Sequence, residues 1–188
     1  MNYSKDQLIE IIREHALRFG DFTLASGKKA AYYLDCRQVT LHPQGLPQIA
    51  AGLFQAMRGQ YRDAMPECVG GMAIGADPIT AGIVMLAGQQ QDPLRGFMVR
   101  KEAKQHGMGR LVEGPVRPGM RCVVVEDVVT SGGSALQAVE AVRAFGMEVL
   151  GVMAVIDRLE GGRQAFEQAG LRLTTLLTIE DFGIAPPA

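Results

Sequence analysis

RCVVVEDVVTSGGS, residues 121–134, is the stretch on which the fold turns. Cys122, Val123, Val124 and Val125 form an uninterrupted apolar run, the pattern of a strand buried on both faces. Glu126 and Asp127 place two carboxylates at the end of that run. Thr130, Ser131, Gly132, Gly133 and Ser134 make a small turn rich in hydroxyls and glycine. A helical period begins directly afterwards, with Ala135, Ala138, Val139, Val142 and Phe145 on one face and Gln137, Glu140 and Arg143 on the other. Strand, acidic pair, glycine turn and helix together describe an anion site. Glycine lets the backbone approach a ligand, and the free N–H groups and dipole of a helix start favour a phosphate. The carboxylates then serve something else, sugar hydroxyls or a metal. A ribose 5-phosphate fits both halves, with its phosphate on the turn and its hydroxyls on Glu126 and Asp127.

Outward from this unit the chain alternates strand and helix patterns. Upstream, Cys68–Ile74 is a second buried strand running into Gly75–Pro78, a loop placed to face a ligand. Ile79–Leu86 is a helix apolar nearly all round, as expected of one buried on more than one side. Gly96–Val99 is a short strand. Downstream, Glu148–Ile156 is a strand ending at Asp157 and Arg158. Gly161 and Gly162 precede a short helix, and Leu171–Ile179 is a last strand. This alternation gives an α/β protein with a mainly parallel twisted sheet flanked by helices. Ligands bind such sheets at the carboxyl ends of the strands, where the Gly75 loop, the loop after Val99, residues 126–134 and Asp157-Arg158 all fall.

At the N-terminal end, Ser4 and Gln7 predict a capped helix with Leu8, Ile12, Ala16 and Phe19 on one stripe and Gly20 as its stop. FTLASGKKAAYYL, residues 22–34, reads as a hairpin around Ser26-Gly27, with Lys28 and Lys29 at its tip and Tyr32 and Tyr33 on its return strand. A further helix is expected between Pro43 and Gly59. The expected organisation is one domain over 1–188: an N-terminal helix and hood hairpin over 1–42, then a core over 43–188 carrying a mobile loop at 100–113.

Composition narrows the function. The 188 residues are 47% hydrophobic and 21% charged, ordinary for a globular chain. A formal net charge of −1 writes in no general attraction to nucleic acid or to an anionic membrane. Cys36, Cys68 and Cys122 are widely spaced without a CxxC, so they read as reduced core thiols of a cytoplasmic protein. His15, His42 and His106 are equally scattered, which argues against a protein-built zinc site. The first residues lack a basic-then-apolar leader pattern, and no window approaches the roughly 18 apolar residues of a membrane span. There is no GxxxxGK[ST], no strand-linked GxGxxG and no GxSxG, which excludes a Walker nucleotidase, a dinucleotide fold and a hydrolase elbow.

RKEAKQHGMGRLVE, residues 100–113, has no sustained apolar period. Arg100, Lys101, Lys104 and His106 supply up to four cationic groups within seven residues. A long loop inside a compact domain is functional or mobile. One with this charge can close over a second polyanion, supply donors as charge develops and exclude water.

On these residues a family resemblance stands out. VVVEDVVTSGGSA, residues 123–135, closely resembles the PRPP signature of the type I phosphoribosyltransferases. RKEAKQHG, residues 100–107, is similar to the catalytic loop of the orotate phosphoribosyltransferases. FTLASGKKAAYYLDCR (22–37), GGMAIGADP (70–78) and VIDR (155–158) follow that family's order.

The resemblance implies the type I fold with its hood, and a pentosyl transfer of pyrimidine (UMP) synthesis. Ribose 5-phosphate passes from PRPP to orotate, giving orotidine 5′-monophosphate and pyrophosphate. It implies catalytic roles for Lys104, Lys101, Arg100 and His106. It implies PRPP binding by Glu126, Asp127, Val128, Val129, Thr130, Ser131, Gly132, Gly133 and Ser134, and orotate binding by Thr130, Arg158, Lys28, Tyr32 and Tyr33. It also implies a homodimer whose loops complete each other's sites, and Mg²⁺ held mainly by PRPP and water rather than by a protein cage. Two places depart from the family pattern. Ala25 stands where many members carry a lysine, with Lys28 the nearest substitute, and Gly75 or Ala76 stands where some carry another. The rival readings are a phosphoribosyltransferase for another base, such as a purine, and a PRPP-binding regulator without turnover.

Overall fold

Helix α1 (Lys5–His15) begins where the capping residues put it. The Gln7 N–H donates to the Ser4 hydroxyl at 3.4 Å, and Leu8, Ile11 and Ile12 are buried. A computed structural model describes residues 2–23, 29–62, 64–102 and 111–186. The predicted continuation of α1 to Gly20 does not form. The chain leaves the helix at Ala16 and extends as β1 (Leu17–Thr23), antiparallel to β2 (Lys29–Leu34), with Leu17 opposite Leu34 and Phe19 opposite Tyr32. The strand partner satisfies backbone groups that the helix would otherwise have satisfied. Phe19, assigned by its spacing to the helix stripe, is 69% exposed. The hairpin is therefore longer than its sequence suggests. Its tip at 24–28, with Lys28, lies outside the described residues.

A short α2 (Arg37–Thr40) and the long α3 (Gly45–Gln60) lead into the sheet, α3 opening two residues beyond Pro43. Then come β3 (Cys68–Met72), α4 (Ala76–Gln89), β4 (Arg95–Val99), β5 (Val112–Glu113), β6 (Arg121–Val129), α5 (Gly133–Ala144), β7 (Glu148–Asp157), α6 (Gly162–Gln168) and β8 (Leu173–Thr178). The strand order is β5-β4-β3-β6-β7-β8, parallel throughout except for the β4–β5 pair.

The valine run of β6 is buried on both faces, as its pattern requires. Val123 and Val125 join a core with Ile49, Leu53 and Ile83 of α3 and α4. Cys122 and Val124 join a second core with Ala138, Val142 and Phe166 of α5 and α6. Cys36, Cys68 and Cys122 are buried free thiols. Close packing beside β3 depends on two glycines. A Cβ on Gly70 would run into the Phe97 carbonyl, and one on Gly71 into the Val125 carbonyl.

Strand β5 was not signalled by the sequence. Val112 pairs with Val99 and Glu113 with Met98, while the Arg100 N–H donates to the Leu111 carbonyl at 2.9 Å. The cationic loop therefore leaves and returns at one point, with its two ends pinned. Residues 103–110, including Lys104 and His106, lie outside the described residues.

From β3 the chain crosses through α4 to β4 on one side; from β6 it crosses through α5 to β7 on the other. Between β3 and β6 the winding reverses. At such a switch point the strand ends part and leave a crevice.

Candidate active site

A cleft of about 380 Å³ opens at that switch point. It is lined by the end of β3 and its loop (Met72–Gly75), by Glu126, Asp127 and Ser134, and by Arg37 and Lys101. The peptide between Ala73 and Ile74 in this wall is cis. A larger recess, about 570 Å³, lies between α1, α3 and α4 beside Tyr3, Phe54, Arg58 and Leu86. It holds no carboxylate and no helix start, so size alone does not mark the site.

The two carboxylates are not where a simple strand end would leave them. Strand β6 runs on to Val129, paired with Asp157 of β7, so Glu126 and Asp127 sit within the sheet. Both line the cleft, close enough for their side chains to interact. Glu126 interacts with Ser134 at the start of α5. Asp127 faces Gly75, where an added Cβ would lie 3.2 Å from Asp127 Oδ1. Their backbones close small loops: the Asp127 N–H donates to Glu126 Oε1 at 3.2 Å, and the Val128 N–H to Asp127 Oδ1 at 2.8 Å.

Glu126 is 6% exposed, and its Oε2 is buried without a partner. Burial, then the charge of Asp127, pushes its carboxyl up to about 8. A buried, unpartnered acceptor beside an open cleft is a place for a ligand hydroxyl.

This shift has a consequence for stability. Below the usual glutamate range both folded and unfolded chains hold the Glu126 proton, so burial costs nothing there. From about pH 4.5 to 8 the unfolded chain releases it while the folded chain keeps it, and stability falls as pH rises. Glu126→Gln is always neutral. It is expected to raise the melting temperature of the ligand-free protein by roughly 2–6 °C near pH 8, with little difference near pH 4. Thermal melts across that range check this; an equal gain at both ends would contradict it.

The expected glycine turn and helix start are present. Gly132 caps α5 at φ +83, the left-handed region that favours glycine, and no side chain caps the helix. The first N–H groups of a 12-residue helix are thus left for a ligand. Of the other predicted PRPP residues, Val129 is buried in the core beneath and Val128 is partly buried against the opposite core. Thr130, Ser131 and Gly133 complete the turn. Gly162, whose role sequence reasoning missed, supports it. A Cβ there would collide with Val129 Cγ1 and lie 2.6 Å from the Thr130 carbonyl. Gly161-Gly162 was legible only as a helix start.

Two predicted acceptor residues meet across 126 positions of sequence. Arg158 Nε donates to the Tyr32 hydroxyl at 2.9 Å, and its guanidinium lies 4.9 Å from the centre of the Tyr32 ring. Glu160 Oε1 binds Arg158 Nη2 at 2.6 Å, and the Arg158 N–H donates to the Val129 carbonyl at 2.9 Å. Tyr33 alternates to the other face of the hairpin, 42% exposed and 5.7 Å from the Phe22 ring. The structure therefore does not bring it beside Tyr32 and Arg158.

Of the loop cations, Lys101 lines the cleft, and Arg100 Nε pairs with Glu113 Oε1 at 3.1 Å at the pinned base. Arg37 was not foreseen as part of the site. Its only signal was an Asp-x-Arg pair just after the hairpin.

Comparison with known proteins bears on this geometry. Residues 87–167 match the phosphoribosyl transferase domain. A protein of Rhodopirellula baltica named orotate phosphoribosyltransferase is 61% identical over 181 residues, covering 95% of this chain and 94% of its own. A Mycobacterium tuberculosis orotate phosphoribosyltransferase structure in complex with Fe(III) dicitrate superposes with a TM-score of 0.83 at 42% identity, covering 96% of this chain and 99% of its own. A structure of that enzyme in complex with 5-phospho-alpha-D-ribosyl 1-diphosphate gives 0.79 at 37% identity, covering the same shares.

Proposed function

The chain belongs to the orotate phosphoribosyltransferase family, and on that premise we propose how its own residues carry the reaction. It is a pentosyltransferase that moves ribose 5-phosphate from PRPP to orotate, releasing pyrophosphate and forming orotidine 5′-monophosphate. One observation supports the arrangement that follows: Glu126, Asp127 and the uncapped start of α5 converge at the switch-point cleft.

The 5-phosphate sits on the N–H groups of Thr130 to Ser134, where a helix start favours an anion. The ribose hydroxyls meet Glu126 Oε2 and the Asp127 carboxylate. The flat acceptor lies against Tyr32, with its carboxylate on the Arg158 fork, Thr130 on the adjoining turn, and Lys28 available from the hood. As the bond to pyrophosphate breaks, C1 gains positive and the leaving group negative charge. Lys101, Arg100, Lys104 and His106 meet that negative charge, and the closed loop excludes water. No protein nucleophile is needed.

Mg²⁺, when bound, offsets the diphosphate charge. Among the described residues, no cluster of three or more His, Cys, Asp or Glu side chains could hold a metal ion. An ion carried by PRPP oxygens and water would need no protein cage. The chain acts as one unit, with residues 1–42 supplying the N-terminal helix and the hood hairpin, and as a homodimer whose loops reach the partner's cleft. Exposed Ile74 and Met85, on the Gly75 loop and α4, support such a contact. No helix among the described residues is long and apolar enough to cross a membrane, which is consistent with placing the enzyme in the cytoplasm.

The test is PRPP turnover with a panel of bases, with and without Mg²⁺. Pyrophosphate release with orotate alone, dependent on Mg²⁺, is the expected result. Release with adenine or guanine but not orotate would transfer the chain to the purine reading. PRPP binding without any turnover would make it a regulator.

A further inference from the structure

The loop at 73–76 reads Ala-Ile-Gly-Ala, so the wall of the cleft beyond Asp127 carries no cation of its own. Arg37 stands at that wall. It lines the cleft with Gly75, Asp127 and Lys101, although it comes from the start of α2, far away in sequence. We propose that Arg37 is a substrate-binding residue that grips the diphosphate of PRPP and the pyrophosphate product.

The side chain is held for the task. Asp35 takes Arg37 Nε at 2.8 Å and Arg37 Nη2 at 3.2 Å, while the Arg37 N–H also donates to Oδ1 at 3.2 Å and Gln38 Nε2 to Oδ2 at 3.4 Å. This fork holds the Asp35 carboxyl below the usual carboxylate range. It occupies one edge of the guanidinium and leaves the remaining N–H groups for an anion. The Arg37 side chain is 59% exposed, and an exposed pair two residues apart adds little to stability. The fold does not need this cation fixed here.

The order of groups along the cleft selects the ligand atom. Glu126 interacts with the Ser134 side chain, at the α5 end of the cleft. Asp127 faces Gly75, and Arg37 feels the charge of Asp127. With the 5-phosphate on the cradle and the hydroxyls on the carboxylates, what extends past Asp127 from C1 is the diphosphate. Arg37 and Lys101 are the cations that line this part of the cleft, and a planar guanidinium suits two phosphoryl oxygens at once.

This inference rests on the PRPP reading but not on the acceptor, so its test uses binding alone. Pyrophosphate and ribose 5-phosphate are titrated separately, with Mg²⁺ present, into the full chain. Arg37→Ala is expected to raise the Kd for pyrophosphate roughly 10- to 100-fold and to leave that for ribose 5-phosphate within about twofold. Arg37→Lys should recover part of the loss, since it restores the charge but not the fork. Unchanged pyrophosphate affinity, or equal losses for both ligands, overturns the proposal. So does a change confined to the KM for orotate. Wild type that binds pyrophosphate yet ignores orotate would sink the acceptor reading and leave this one standing.

Discussion

Arg158→Ala is expected to raise the KM for orotate roughly 10- to 100-fold while leaving the KM for PRPP within about twofold. Orotate is uracil bearing a ring carboxylate, and a guanidinium against that group is the strongest acceptor contact this site offers. Arg158 is well placed to give it: 18% exposed, pinned by Glu160 and capped by the Tyr32 ring. Its loss also leaves the Tyr32 hydroxyl without that donor. Arg158 is not among the residues that line the cleft with Glu126, Asp127 and Ser134. Uracil is the control. The preference for orotate over uracil should shrink in the variant, because only orotate loses a partner. An unchanged preference would mean that the acceptor carboxylate lies elsewhere, with Lys28 of the hood the next candidate.

A larger loss is expected at Lys104, in kcat rather than in binding. If its ammonium meets charge that appears only as pyrophosphate departs, Lys104→Ala lowers kcat about 10²- to 10³-fold. PRPP affinity should then change little, since the ground state never used that contact in full. Parallel losses in kcat and affinity would contradict a transition-state role. The two described ends of the loop are pinned together, with Arg100 on Leu111 and Glu113. Mixing Lys104→Ala chains with Asp127→Asn chains tests whether it reaches across a dimer. Each homodimer is impaired in both sites. A mixed dimer carries one site with a wild-type cleft and a wild-type loop if the loop acts in trans, and should regain partial activity. No recovery in verified mixed dimers counts against shared sites.

The residues that sequence reasoning read well share one property: their meaning is local. The valine run of β6 predicts two buried faces because alternate side chains of one strand point to opposite sides, and both cores take them up. Thr130–Ser134 read as a glycine turn before a helix, and Gly132 does cap that helix, at φ +83, a backbone few other residues tolerate. Local reasoning failed at Phe19. A helical spacing reached it, yet pairing with Tyr32 overrode the period. It failed again at β5, two residues too few to carry any pattern.

The sequence by itself determined a mainly parallel α/β sheet, a glycine turn at a helix start with two carboxylates in front of it, and a cationic segment after β4. Backbone period, glycine conformation and helix polarity act within a few residues, and composition records them. Only the tertiary structure decided which groups meet: Arg37 and Gly75 beside Asp127 in the cleft, Ser134 beside Glu126, and, apart from these, Tyr32 on Arg158 from 126 residues away. Those meetings depend on strand order and on the reversal of winding between β3 and β6. Both follow from how whole elements bury their faces, and no short stretch contains that information. The stretch 121–134 thus specifies two carboxylates ahead of a glycine turn and a helix start, and the fold supplies the neighbours that line the cleft around them.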